Sequence, residues 1–289
     1  APVLAARVRP QDAVQWALYY APIVQIDPGS LGEGPWQASV RESIQAQQSG
    51  DLQRALDTLA SGDAQSVTDA RFYTHRASLL LAAGNADAAG KDVARALELS
   101  AQDANALALR TIIAVANNAT DDALAAGQKA VAADSKSATA HVALSYARQA
   151  AFDLDGARES LETAVRVDER NALAWARLAE MRASQGNLDH ALDAARKAAA
   201  IQPNLSRTQT VLGFAHLVRL KTEKAAAAFR KAIELDADDP LPRLGLGLAQ
   251  IRDGNTDEGI RSLEVAVSLD PGDAVKAVLN IYDVMNKGQ

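Results

Sequence analysis

The feature that most constrains this chain is a step of 34 residues. Gly50, Gly84, Asn118, Phe152, Gly186, Leu220, Gly254 and Gly288 stand at that interval, and most of the series is glycine. A fixed period of this length marks a solenoid, in which each unit buries its apolar face only against its neighbours. Seven consecutive units follow without an insertion: 36–69, 70–103, 104–137, 138–171, 172–205, 206–239 and 240–273. In each, a helix-compatible stretch leads to a turn and then to a second helix-compatible stretch. The turn carries Gly followed by Asp or Asn, as in Gly50-Asp51, Gly84-Asn85, Gly186-Asn187 and Gly254-Asn255. Glycine can end the first helix in the left-handed conformation, and the polar residue can cap the second.

Three further columns set how such helices pack. The eighth position reads Ser43, Ala77, Thr111, Ser145, Ala179, Gly213 and Gly247. The twentieth reads Ala55, Ala89, Ala123, Ala157, Ala191, Ala225 and Gly259. The twenty-seventh reads Gly62, Ala96, Ala130, Ala164, Ala198, Ala232 and Ala266. All are small, so antiparallel helices can approach closely, and a large side chain at one of them would overpack the joint by about 1–3 kcal/mol.

Composition agrees with a closely packed helical array. Apolar residues make up 48% of the chain but aromatics only 4%, a balance that suits alanine-rich helix packing better than a sheet core. The net charge of −6 argues against a nucleic-acid surface, which needs clustered Lys and Arg. No apolar run approaches the ~20 residues of a membrane span. The lack of cysteine excludes disulfides and thiolate metal sites and fits either redox compartment. The chain begins at Ala1 without a methionine, as expected of a processed protein or an excised piece.

The small-residue columns, with Trp175, Leu178 and Ala179, then Gly186, Ala191, Ala198 and Pro203, resemble the tetratricopeptide repeat (TPR) family. The resemblance covers residues 36–289 and implies an all-α fold, a right-handed superhelix of helical hairpins. Pro203 and Pro271 alone occupy the family's usual proline position. Repeat 36–69 has a weak second helix interrupted by Ser61-Gly62-Asp63, where fraying or bending is expected. Residues 274–289 continue the register as one more first helix and read as a C-terminal solvating helix. Ile281 breaks the small column there, as it can when no second helix must pack against it.

Chemistry-bearing constellations are missing. The histidines, at 75, 141, 190 and 216, fall at four different repeat positions without metal-ligand spacing. Gly245-Leu246-Gly247 lacks the third glycine of a phosphate loop and lies inside a repeat helix. No nucleophile–base pair is suggested, so neither enzyme activity nor a cofactor is expected. The resemblance instead implies a concave groove lined by the first helices at repeat positions 2, 5, 9 and 12. Those positions yield Ile112, Val115, Val142, Tyr146, Gln149, Glu180, Arg207, Phe214, Leu217, Leu248 and Ile251 as the candidate groove. Apolar anchors are expected at Tyr146, Phe214, Leu217 and Leu248, with Gln149, Glu180 and Arg207 fixing orientation. The two-lysine, two-asparagine, one-arginine clamp that some TPR domains use for chaperone C-termini is not assembled. Ala176 and Glu180, for example, stand where Lys and Asn are required. The expected function is a protein-interaction scaffold that binds a peptide or helix; the alternative is a structural spacer inside a larger envelope protein.

Residues 1–35 lie outside the repeats. Asp12 can cap a short helix, AVQWALYY, whose Trp16, Tyr19 and Tyr20 share one face. A helix this short needs a burial site, so the segment is expected either to cap repeat 36–69 or to fill the groove as a self-ligand. Pro22 would end it, and residues 28–35 read as a loop. The stretch VRPQDAVQWALYYAPIV also resembles the linker of bacterial envelope proteins in which a FecR-like domain precedes TPR units. That implies a periplasmic or envelope location in a bacterium; without it, a cytoplasmic location is the alternative.

Overall fold

The computed structural model describes residues 24, 26–49, 51–60 and 66–269. The aromatic segment with Trp16, Tyr19 and Tyr20, most of the linker-like stretch, and the helix expected over 274–289 lie outside the described residues. Those residues divide at Val167 and Asp168 into two compact units. Among them there is no strand.

The amino-terminal unit opens with a 3-10 turn, Pro28–Leu31, in the stretch read as a loop. Four helical hairpins follow: α1 (Pro35–Gln48) with α2 (Leu52–Asp57), α3 (Ala70–Ala82) with α4 (Ala86–Leu99), α5 (Ala104–Ala116) with α6 (Thr120–Ala133), and α7 (Ala138–Ala150) with α8 (Leu154–Val167). The carboxy-terminal unit has three: α9 (Ala172–Ser184) with α10 (Leu188–Ile201), α11 (Ser206–Leu217) with α12 (Thr222–Leu235), and α13 (Pro240–Arg252) with α14 (Thr256–Leu269). Helix α2 has 6 residues where the other second helices have 14, so the weak second helix stops well before the Ser61-Gly62-Asp63 interruption.

Among the described residues the small columns are buried at the joints of the hairpins; Gly62 lies outside the described residues. Ala89, Ala123, Ala157, Ala191 and Ala225 have no exposed surface, and neither do Ala96, Ala130, Ala164, Ala198, Ala232 and Ala266. Where two glycines meet, the approach is closest. A Cβ on Gly247 would lie 2.8 Å from the Gly259 carbonyl oxygen, and one on Gly259 would lie 2.8 Å from the Gly247 oxygen. Gly245-Leu246-Gly247 is thus a packing feature within α13.

The turn column holds its conformation even where it loses glycine. Gly84, Gly186 and Gly254 have φ of 76, 78 and 89°, while Asn118, Phe152 and Leu220 have 55, 60 and 60°. Each turn closes with the same pair of bonds. The Asp153 N–H, for instance, donates to the Arg148 carbonyl at 2.9 Å, and that of Phe152 to Gln149 at 2.9 Å. This Schellman geometry satisfies carbonyls that the helix end leaves open, and it forces the left-handed region on whatever residue sits there. A side chain in that region costs about 1–2 kcal/mol, partly offset because glycine loses more chain entropy on folding. Phe152→Gly and Leu220→Gly are each expected to stabilise the protein by about 0.5–1 kcal/mol in denaturant titrations. A loss of stability in both would show that the turn carries no such strain.

Most first helices are started by short polar side chains in the turn before them; α1 and α11, which follow Gly34 and Leu205, are not. Asp103 Oδ1 accepts from the Ala106 N–H at 2.7 Å, Ser137 Oγ from Ala140 at 3.1 Å, and Asn171 Oδ1 from Ala174 at 3.0 Å. Each cap supports its helix by about 1 kcal/mol.

Candidate interaction surface

The sequence-selected groove residues divide by burial. In the amino-terminal unit Ile112, Val142 and Tyr146 are buried, Tyr146 with only 7% exposed; Val115 is half-buried and Gln149 exposed. In that unit most of the row therefore serves the joints between helices. In the carboxy-terminal unit Leu217 is buried, while Glu180, Arg207, Phe214, Leu248 and Ile251 are half-buried.

Two of the half-buried residues are apolar and share a core, two form an ion pair, and Ile251 faces the joint with α14, where a Cβ on Gly259 would lie 2.5 Å from its Cγ1. The Phe214 and Leu248 side chains pack against the core formed by Leu217, Ala225, Phe229 and Leu246. The Phe214 ring stands edge-on to Phe229 with centroids 4.9 Å apart. Glu180 is held from two sides: its Oε2 accepts from Arg177 Nη1 at 3.0 Å, and its Oε1 accepts from Arg207 Nη2, joining α9 to α11. The Glu180 side chain keeps 27% of its exposure. Loss of water around its carboxyl raises its pKa from the ordinary value, with Arg177 opposing the rise by charge and hydrogen bonding. The two arginines thereby hold the carboxylate in one orientation.

The least anticipated packing residue is Phe229 on α12, fully buried. Its ring fills the space left by two glycines: a Cβ on Gly213 would come 2.5 Å from Phe229 Cε1, and one on Gly245 would come closer still. The available signal was a third glycine, Gly245, two residues before the small column. Two other features escaped the sequence reading. Phe152 is 90% exposed and Leu220 60%, both lifted into solvent by their turns. In the amino-terminal unit a cleft of about 590 Å³ lies where α2 ends, bordered by Tyr73, Arg76, Lys91, Asp92 and Arg95. There Arg76 donates to both Asp92 oxygens at 2.7 Å, its guanidinium 5.1 Å from the Phe72 ring centroid. Asp92 thus holds the Arg76 pKa above its ordinary value.

Comparison with known proteins gives a consistent picture. A family model described as tetratricopeptide repeat matches residues 142–206 and 212–274. No curated protein sequence matches the chain. A thermophilic TPR protein from Thermus thermophilus superposes with a TM-score of 0.57 at 24% identity, over 63% of this chain and 99% of that one. A tetratricopeptide repeat protein from Parabacteroides merdae superposes at 0.56 and 14% identity, over 85% of this chain and 98% of that one. A structure of the APC/C hetero-tetramer Cut9–Hcn1 gives 0.65 at 15% identity, over 96% of this chain and 53% of that one. At such identities these likenesses speak for the fold. No helix among the described residues is long and apolar enough to cross a membrane. Repeat period, buried small-residue columns, the family match over residues 142–206 and 212–274 and the likeness to solved structures together show a tetratricopeptide-repeat fold, a helical solenoid of the kind that scaffolds protein–protein interaction.

Proposed function

We propose that the carboxy-terminal unit binds an extended segment or an amphipathic helix of a partner protein across α9, α11 and α13. The observations that support this are two half-buried apolar side chains on one core, Phe214 of α11 and Leu248 of α13, and the Glu180–Arg207 ion pair that joins α9 to α11. Apolar anchors beside a small number of oriented polar groups are the pattern of helix-in-groove and peptide recognition. Tyr146 and Leu217, both expected as anchors, are each only 7% exposed and meet no partner without repacking, so the apolar contacts fall to Phe214 and Leu248. The location in a bacterial envelope rests on residues 8–24 alone and is carried here as a second proposal.

The test is selection of binding peptides from a random library, followed by NMR mapping on the full chain. Selected peptides are expected to shift the signals of Phe214 and Leu248. Leu248→Glu is expected to weaken them at least tenfold, about 1.4 kcal/mol, and, because Leu248 packs on the core, to lower the melting temperature while the chain stays helical. Peptides that bind without touching these residues, or no saturable binder at all, would instead favour the spacer.

A further inference from the structure

A second surface of the carboxy-terminal unit carries a different chemistry. The turn column's next position reads Asp51, Asn85, Ala119, Asp153, Asn187, Lys221 and Asn255. Most are short acceptors that suit the start of a second helix, and one is a lysine. Lys221 is the N-cap of α12, and no side chain caps that helix. A cation there is unfavourable in itself, because the helix N-terminus carries partial positive charge and open N–H groups. That end of α12 borders a pocket of about 420 Å³, lined also by Lys224, Arg196, Arg219, Asp189, Asp193 and His216.

The charges in this pocket do not cancel. Arg219 donates to Asp189, and Arg196 lies 3.8 Å from Asp193. Lys221 and Lys224 are in no ion pair among the described residues. Two positive charges are therefore left over, beside an uncapped 14-residue helix. Glu223, in the first turn of α12, is exposed and does not line the pocket. His216 is the independent observation. Its ring lines the pocket with only 8% exposed, and its buried Nδ1 has no hydrogen-bond partner. The turn itself ties these groups together, since the Lys221 N–H donates to the His216 carbonyl at 3.0 Å.

We propose that this pocket is a binding site for a phosphate-class dianion, held by Lys221, Lys224 and the start of α12 next to His216. A phosphomonoester carries about −1.5 to −2 charges at neutral pH, which matches the two unpaired lysines; a simple carboxylate would leave one unmatched. Helix N-termini bind such anions through their open N–H groups. None of the residues lining this pocket is among those proposed for peptide binding, so the site stands whether or not a peptide binds there. His216 supplies a reporter. Burial first, then the charges of Arg196, Lys224 and Arg219, lower its pKa from the ordinary value. The acidic groups nearby are Asp189 and Asp193 of α10, which line the pocket, and Asp253 after α13, which does not line it but accepts from Thr222 Oγ1 at 3.2 Å at the start of α12. A dianion beside the ring favours the imidazolium, so its occupancy raises the His216 titration midpoint.

The experiment uses the full chain in 0.15 M salt, with inorganic phosphate and a capped phosphoserine as probes. His216 is followed by NMR, with exposed His190 as reference. Saturable shifts at His216 and an upward move of its midpoint are expected, with His190 unmoved. Lys221→Asn restores the acceptor found elsewhere in the column; it is expected to raise the melting temperature and weaken phosphate at least tenfold. Lys224→Ser is expected to weaken it by a similar factor. Tighter binding of phosphoserine would name a phosphorylated side chain as the source, and tighter inorganic phosphate a free anion; both support the site. Unsaturable shifts in the wild-type chain, or wild-type affinity in Lys221→Asn, would overturn it.

Discussion

Phe229→Ala is expected to destabilise the carboxy-terminal unit by about 3–5 kcal/mol, the usual cost of emptying a fully buried aromatic site. The magnitude follows from how the ring is housed. It has no exposed surface and lies against Gly213 and Gly245 so closely that neither position has room for a Cβ. Helices α11 and α13 would have to close on the void, and their other joints already touch. The converse change, Gly245→Ala, leaves the ring in place and overpacks it, for about 1–3 kcal/mol. Because one contact carries both effects, the double variant is expected to lose clearly less than the sum of the two. Denaturant titration of the singles and the double measures this. A loss below 1 kcal/mol for Phe229→Ala, or strict additivity, would show that the ring is not the keystone of these hairpins. Repeat arrays are held by nearest-neighbour terms, so the effect should stay within the carboxy-terminal unit, leaving the His75 signal of the other unit unperturbed.

The stability of the amino-terminal unit is expected to fall by up to about 3 kcal/mol as the pH drops from 6.5 to 4. The group responsible is His75 on α3, which has no exposed surface. Its Nε2 lies 3.1 Å from Ser43 Oγ, whose own proton goes to the Ala55 carbonyl at 2.8 Å. Burial pushes the imidazole down to about 4, with the Val24 backbone opposing. The unfolded chain takes up a proton near pH 6.5 and the folded one does not, so protonation favours unfolding across that interval and saturates below it. Asp69 acts in a lower range. Its hydrogen bond from Arg71 lowers its pKa, so its contribution is lost as pH falls through the carboxylate region. His75→Gln should flatten the upper interval and leave the lower one intact. A flat wild-type profile between pH 6.5 and 4 would mean that the ring is solvated. A surviving slope in the variant would assign it to other groups.

Much of the fold was legible in the residues because it is written many times over. One alanine at a helix position says little. Ala55, Ala89, Ala123, Ala157, Ala191 and Ala225 at one interval require a close joint in each repeat, and each is completely buried. The turn column shows the reverse relation. Asn118, Phe152 and Leu220 weaken it as a glycine pattern, yet all keep the left-handed φ, because the bonds of the turn and the neighbouring helices outweigh the side-chain preference. The groove was less legible. Repeat position alone assigns Tyr146 and Phe214 to one row, but Tyr146 is buried while Phe214 keeps a half-open edge. How much of a side chain remains accessible depends on the volumes of its neighbours, here Phe229 against paired glycines.

The sequence by itself determined the hairpin, its period and its joints, since these need only residue size and periodicity, repeated in register. Only the tertiary structure decided which candidate residues stay half-open, that Gly213 and Gly245 make room for Phe229, and that Lys221, Lys224 and His216 surround one pocket. Those juxtapositions join residues from different helices through specific side-chain contacts, and a 34-residue period carries no information about positions at which the repeats differ.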